Sequence, residues 1–259
     1  MTESKLSLQD LRIAFGPRMV VDLNRLELGP GEILGLAGES GSGKSITALA
    51  VLGLASTLGA RVEGSVRLDG EELVGAPESR LRELRGSRVS MIFQSPVSSL
   101  DPLLEVGELF QRTLRLHGVR KREASERASD AFREVLLSPD LLRRYPHELS
   151  GGQAQRIAIA MALALRSEVL LADEPTSALD VTVQAEILDL LRRVREERGM
   201  SVLFISHDLA VIAELCDRVA VMQLGRIVEE GPTARVLGEP EDDYTKRLVA
   251  AVPKIGAQV

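Results

Sequence analysis

Two short stretches of this chain carry residue types that handle phosphate. The first, "GESGSGKS" from Gly38 to Ser45, fits the pattern G-x-x-x-x-G-K-S. It follows an apolar run and opens a helical pattern, which is the context the pattern needs. Its glycines let backbone N–H groups wrap phosphate oxygens; the Lys44 ammonium reaches the terminal phosphates and the Ser45 hydroxyl is a ligand for Mg²⁺. The candidate nucleotide-binding set is Gly38, Glu39, Ser40, Gly41, Ser42, Gly43, Lys44, Ser45 and Ile46. A flexible glycine-serine turn is the bland alternative, and the flanking strand and helix patterns weigh against it. The second stretch, "VLLADEP" from Val169 to Pro175, is an apolar run ending in two carboxylates. Asp173 there can hold Mg²⁺ through water, and Glu174 can polarise a water aimed at a γ-phosphate. Alone, the pair reads more simply as two solvated acids at a strand end. Beside a phosphate loop it reads as a hydrolytic centre for ATP or GTP.

A third stretch raises a separate question. "LSGGQ", Leu149 to Gln153, places a serine and two glycines just before the helical pattern "AQRIAIAMALAL". A serine at a helix start is commonly an N-cap. It is also where backbone N–H groups face an anion. The chain thus offers two anion-facing glycine turns, far apart in sequence.

The rest of the chain must position these residues. Its 259 residues allow one large domain or a core with a smaller satellite. A hydrophobic fraction of 44% supports a substantial core. The net charge of −6 argues against a dedicated nucleic-acid binder. The single cysteine, Cys216, permits no intrachain disulfide and suggests a reducing compartment. Cys216 itself reads as a small buried apolar residue, and His117 and His147 as surface residues. The polar, alternating start "MTESKLSLQDLRIAF" does not resemble a secretory signal. The longest apolar run in a helical pattern, Ile157 to Leu165, is far short of a membrane span.

Residues 4–36 alternate as strands do, and "GSVRLDGEEL" reads as a hairpin with an Asp-Gly turn. A helix is predicted from Lys44, fading at Gly53, and "VSMIF" is a further strand. From Ser95 to Ser150 the pattern turns charged and helical, punctuated by Pro96, Pro102, Pro139 and Pro146. Within it "KREASERASDAFRE" reads as a solvated helix face. Beyond it "VLLAD", "SVLFIS" and "DRVAVM" alternate with helical patterns, which predicts an α/β fold with a parallel sheet. The last twenty residues read as a short helix and a loose end.

With the phosphate loop and "DEP", the stretch "LSGGQ" resembles the signature of the ATP-binding cassette (ABC) ATPases, and the resemblance runs nearly the whole chain. It implies a P-loop NTPase (RecA-like) core with a mainly parallel sheet, an N-terminal antiparallel β subdomain and a helical insert. On that pattern residues 1–94 and 155–235 form the nucleotide-binding core, 95–154 the helical subdomain and 236–259 a tail, within one domain of 1–259. It implies that Phe15 stacks on adenine, although an aromatic near a strand end is core more often than not. Gln94 would meet Mg²⁺ and the attacking water, joining Ser45 and Asp173 as the metal set. Asp180 would lie at a dimer interface and His207 would contact the γ-phosphate. Catalysis would rest on Glu174, His207, Gln94 and Lys44. In the family two such chains stack head to tail, so Leu149, Ser150, Gly151, Gly152 and Gln153 of one would face the ATP held by the other.

"GLAGESGSGKS", "QSPVSSLDP" and "GEPEDDYTKRLVAAVP" further resemble the importer ATPases for peptides and nickel. The match is partial. Ser95 stands where an aspartate is usual, Asp242-Asp243 where His-Pro is usual, and Gln153 where many peptide-importer chains carry methionine. The family's long dipeptide-type members extend into a cysteine cluster; a short form is expected here, like the nickel or metallophore ATPases or a peptide importer without that extension. The resemblance implies ATP and Mg²⁺, a second ATPase subunit (the same or a different chain), integral permease subunits, an indirect solute-binding protein and no nucleic acid. It implies a peripheral protein on the cytoplasmic face of the plasma (inner) membrane. A soluble ABC ATPase of an enzyme complex, such as carbon–phosphorus lyase, is the alternative; DNA-repair members ranks lower because the insert is short and lacks cysteine.

Overall fold

The computed structural model describes residues 4–94, 100–177 and 179–251. In chain order these form β1 (Leu6–Phe15), β2 (Arg18–Leu28), β3 (Ile33–Ala37), α1 (Lys44–Val51), β4 (Arg61–Leu68), β5 (Glu71–Glu72), α2 (Glu78–Leu84) and β6 (Val89–Ile92). There follow α3 (Val106–Leu116), α4 (Lys121–Glu134), α5 (Gly151–Leu165), β7 (Val169–Asp173), α6 (Val181–Arg198), β8 (Ser201–Ser206), α7 (Leu209–Leu215), β9 (Arg218–Gln223), β10 (Arg226–Pro232), α8 (Thr233–Gly238) and α9 (Asp243–Ala251). They divide into two compact units, one of residues 1–81 with 201–259, the other of residues 82–200.

The first unit contains two sets of strands. β2, β1, β4 and β5 form an antiparallel sheet in that order. Alternation fixes its faces: Leu6, Leu8, Leu11 and Ile13 of β1 are buried, with Val21, Leu23, Leu26 and Leu28 of β2. The β4–β5 hairpin turns on Asp69 and Gly70, both at positive φ (47° and 79°), as an Asp-Gly two-residue turn requires. The second set runs β10-β9-β3-β8. β3 is parallel to both β8 and β9, and β10 returns antiparallel along β9. Every residue of β3 and β8 is buried, so these strands read as unbroken apolar runs.

The second unit carries a parallel pair, β6 with β7, in the register Val89↔Val169 to Ile92↔Ala172. Its helices α3 and α4 meet through Phe110 and Phe132, edge to face at 5.3 Å. Ala124, Ala128 and Ala131 of α4 share the buried face, while Glu123–Arg127 and Arg122–Glu126 pair along the wet one. The solvated face expected for this helix is thus present, opposite a face of small residues. Between α4 and α5 the proline-marked segments Pro139–Arg143 and Pro146–Glu148 are single 3₁₀ turns.

Candidate active site

In the first unit, β3 ends at Ala37, whose register partner on β8 is Ser206. Gly38 and His207 therefore leave adjacent parallel strands at the same edge. Gly38 has φ 148°, and a Cβ there would sit 2.2 Å from the Met222 carbonyl oxygen, so only glycine fits. Gly43, at φ 110°, is the N-cap of α1, and no side chain caps that helix. Its first-turn N–H groups are presented by a loop of glycines and serines, the arrangement that suits an anion. Lys44 is buried, and its Nζ donates to Gly38 O at 2.7 Å, Glu39 O at 2.8 Å and Ser42 Oγ at 3.4 Å. Those acceptors offset the cost of taking an ammonium out of water. Ser45 is exposed and Ile46 half-buried, while Glu39, Ser40 and Gly41 line the open side of the loop. Phe15, at the end of β1, is 36% exposed, so the core reading of this aromatic does not hold. His207 is exposed, and Asp208 beside it caps α7 by accepting from Ala210 N at 2.9 Å.

In the second unit, Asp173 ends β7 and is buried, as is Glu174. Gln94 is exposed and lies just past Ile92, the register partner of Ala172, so it emerges beside the two carboxylates. Glu174 has φ 51°, a left-handed conformation that costs a non-glycine residue about 1–3 kcal/mol and is typical of functional positions. Its carbonyl accepts from Gln155 Nε2 at 3.2 Å and Ser177 Oγ at 3.1 Å. Gln155 is fully buried in α5, the helix that opens with the second glycine turn.

Ser150 is the N-cap of α5: its Oγ accepts from Gln153 N at 3.2 Å, and Gln153 Oε1 accepts from Ser150 N at 3.0 Å. The ordinary capping role is therefore real. Gly151 is exposed, with no heavy atom within 4 Å of where its Cβ would be, and Gly152 would meet only Leu179 Cδ2 at 3.3 Å. Leu149 is half-buried. Asp180 caps α6 by accepting from Val183 N at 3.0 Å, and the adjacent Val181 is 82% exposed. Ser95 and the rest of "SPVSS", like Ala178, lie outside the described residues.

Three residues outside the motifs behave differently from one another. Cys216 is buried, and burial, with Asp217 nearby, pushes its thiol up, so it is an inert thiol. His147 is exposed and stacks on Tyr145 at 5.7 Å. His117 is not the surface residue expected: it is half-buried, with Nδ1 2.8 Å from Thr113 O and Nε2 2.8 Å from Arg85 O. Sequence reasoning also passed over Gln155 and Tyr244, whose hydroxyl accepts from Glu39 N at 3.0 Å. Gln155 lies two places beyond "LSGGQ", and nothing in its neighbours' types signals its partner. Among the described residues no His, Cys, Asp or Glu cluster forms a metal site, and no helix is long and apolar enough to cross a membrane.

Comparison with known proteins bears on both halves. The family model for ABC transporters matches residues 22–177. A Brucella abortus protein named for peptide import ATP binding is 48% identical over 95% of this chain and 75% of its own. The oligopeptide transport ATP-binding protein OppD of Salmonella typhimurium is 45% identical over 98% of this chain and 77% of its own. Among solved structures, the ATP-binding cassette MJ0796, a dimer in a post-hydrolysis state with ADP and phosphate, aligns with TM-score 0.78. It is 29% identical, over 88% of this chain and 98% of that one.

Proposed function

Since the chain belongs to the ABC transporter family, as an ATP-hydrolysing subunit with the ABC ATPase fold, we propose that it powers the uptake of peptides through a membrane permease. The observation that carries the ATPase half is the phosphate loop: a side-chain-free cap on α1 with Lys44 buried against the loop's own carbonyls. The peptide half rests on the two relatives named for peptide transport.

Lys44 and the loop amides hold the phosphates, and the partly exposed Phe15 stacks on adenine. Ser45, Gln94 and Asp173 would hold Mg²⁺ through a hydroxyl, an amide and a carboxylate oxygen, the donor type that ion prefers. When bound, Mg²⁺ neutralises charge developing on the phosphates. Glu174 orients a water and takes its proton; His207 contacts the γ-phosphate. Most of the rate enhancement is positioning and charge stabilisation. The expected subdomain bounds, with 95–154 as the helical part, belong to the same reading.

A second ATPase chain docks against the first, and Ser150, Gly151 and Gly152 then face the ATP on that partner. The bare surface at Gly151 supports this, because a side chain there would fill the approach to the phosphate. Asp180 and Val181 lie on the same interface. The permease docks near Gln94 and the segment Val97–Leu104, of which Leu103 is 82% exposed. The complex holds this chain at the cytoplasmic face of the membrane.

The solution mass of Glu174→Gln, measured by light scattering with and without Mg·ATP, tests the pairing. An ATP-dependent shift from monomer to dimer supports self-pairing through the signature; a persistent monomer that binds ATP refutes it and requires a different partner chain. Removing this chain from its cell should abolish uptake of a labelled oligopeptide and spare nickel uptake. The opposite pattern overturns the peptide assignment.

A further inference from the structure

The tail of the chain returns to the phosphate loop. Tyr244, on α9, is buried, and its hydroxyl lies 3.0 Å from the backbone nitrogen of Glu39. That N–H belongs to the same rigid peptide unit as the Gly38 carbonyl. Lys44 Nζ donates to that carbonyl at 2.7 Å. One peptide plane at the loop's entry is therefore held at one end by the lysine and at the other by the tyrosine. Its orientation matters, because Gly38 sits at φ 148° against the Met222 carbonyl and has little room to readjust.

α9 is itself braced. Glu229 of β10 accepts from Glu241 N and Asp242 N, both at 3.1 Å. Asp242 Oδ1 accepts from Tyr244 N at 2.8 Å. The Arg247 guanidinium lies 5.9 Å from the Tyr244 ring centre. The hydroxyl is thus delivered by a fixed frame.

We propose that Tyr244 is a positioning residue of the nucleotide site: through Glu39 N–H it sets the peptide plane on which Lys44 rests, making α9 part of the apparatus that holds ATP. The proposal rests on the phosphate-loop reading. It differs from a packing role because the ring could be kept and the hydroxyl removed. Loss of the acceptor leaves a partly buried N–H without its partner and frees the plane to rotate. The lysine anchor then moves, and binding suffers more than chemistry, since Glu174 and the attacking water are served by other residues.

The test is Tyr244→Phe in the full chain, with the Kd for a fluorescent ATP analogue, the KM and kcat of ATP hydrolysis, and the urea midpoint all measured. The expected result is a Kd and KM raised about five- to tenfold, the scale of one hydrogen bond, with kcat within about twofold. A Kd equal to wild type overturns the proposal. Should Tyr244→Phe fail to fold, Asp242→Ala, which loosens the start of α9, must raise Kd in the same direction; an unchanged Kd there overturns it equally. Lys44→Ala separates the two layers. If it binds the analogue as wild type does, the phosphate-loop reading fails. If it loses binding while Tyr244→Phe does not, only the tyrosine's role fails.

Discussion

Replacing Gln155 by methionine isolates one polar link inside the second unit. Methionine keeps much of the length and volume of glutamine but cannot donate. The wild-type amide donates to Glu174 O at 3.2 Å, and Ser177 Oγ still donates to that oxygen at 3.1 Å after the change. The carbonyl is not orphaned, so the loss is one net hydrogen bond, about 1 kcal/mol, rather than a full desolvation penalty. Part of that is returned, because Gln155 Oε1 is a buried oxygen with no hydrogen-bond partner among the described residues, and the variant removes it. The expected change in unfolding free energy is therefore about 0–1.5 kcal/mol. Turnover should respond more strongly. Glu174 is held at φ 51° against a cost of about 1–3 kcal/mol, and its carbonyl is then held only by the Oγ and N–H of Ser177, the latter at 3.3 Å. If half of the middle of that range, about 1 kcal/mol, is lost by turning the carboxylate away, kcat falls about fivefold. Urea unfolding gives the first number and phosphate release at saturating ATP the second. A kcat within about twofold of wild type would refute the restraint argument. Ser177→Ala in the same background should be worse than additive, since both donors share one acceptor.

Other outcomes follow from the same geometry. Glu174→Gln should keep ATP binding and lose at least about a hundredfold in turnover, the scale of a general base; near-normal turnover means another group activates the water. Gly86→Ala should cost about 2–3 kcal/mol, because its φ is 78° and its Cβ would lie 2.3 Å from His117 Nε2, displacing a ring whose nitrogens each lie 2.8 Å from a carbonyl oxygen. A melting temperature unchanged within about a degree would contradict that clash. Glu229 makes the acid limb of stability testable. Burial pushes its carboxyl up, but the Glu241 and Asp242 N–H groups, with Thr245 and Arg235, pull it below its ordinary value of 4.5. A depressed folded value means the stabilisation is complete above the ordinary value and is lost as pH falls through the lower one. Glu229→Gln should therefore be less stable at neutral pH and lose less on acidification below about pH 4.5; parallel pH curves for the two proteins would reject the clamp.

The motif-bearing elements were legible because their residue types carry the signal locally. β7 is an apolar run that stops at two carboxylates, and α1 starts where glycines give way to "KSITALAV". The strands β3, β8 and β9 and helix α6 stand where periodicity and turn residues put them. α2, β10 and α8 escaped notice. α2 is seven residues long, too short for a helical period to rise above noise. β10, "RIVEEGP", pairs at the edge of its set, and its two glutamates break the apolar alternation. The tie of Glu229 to the start of α9 explains one of those glutamates, but its partners are backbone N–H groups twelve and thirteen residues away. The same limit hid the roles of His117, Gln155 and Tyr244. Each binds a peptide group, and a peptide group has no letter of its own in a sequence. Phe15 shows the converse: its type suggested interior packing, and only its position past the last buried residue of β1 exposes the ring.

Arg156 gives the helical part of the chain a mechanical property. Its guanidinium donates to Val135 O at the end of α4 at 3.2 Å and pairs with Glu186 of α6 at 2.7 Å, while its own backbone belongs to α5. Three helices are thus pinned at one joint, and two of them begin at the caps Ser150 and Asp180. The ends of α4, α5 and α6 share one side chain, so the starts of the latter two helices are tied to the end of the first. Only a forked cation reaches both partners at once; lysine, with a single point of charge, would serve one of them.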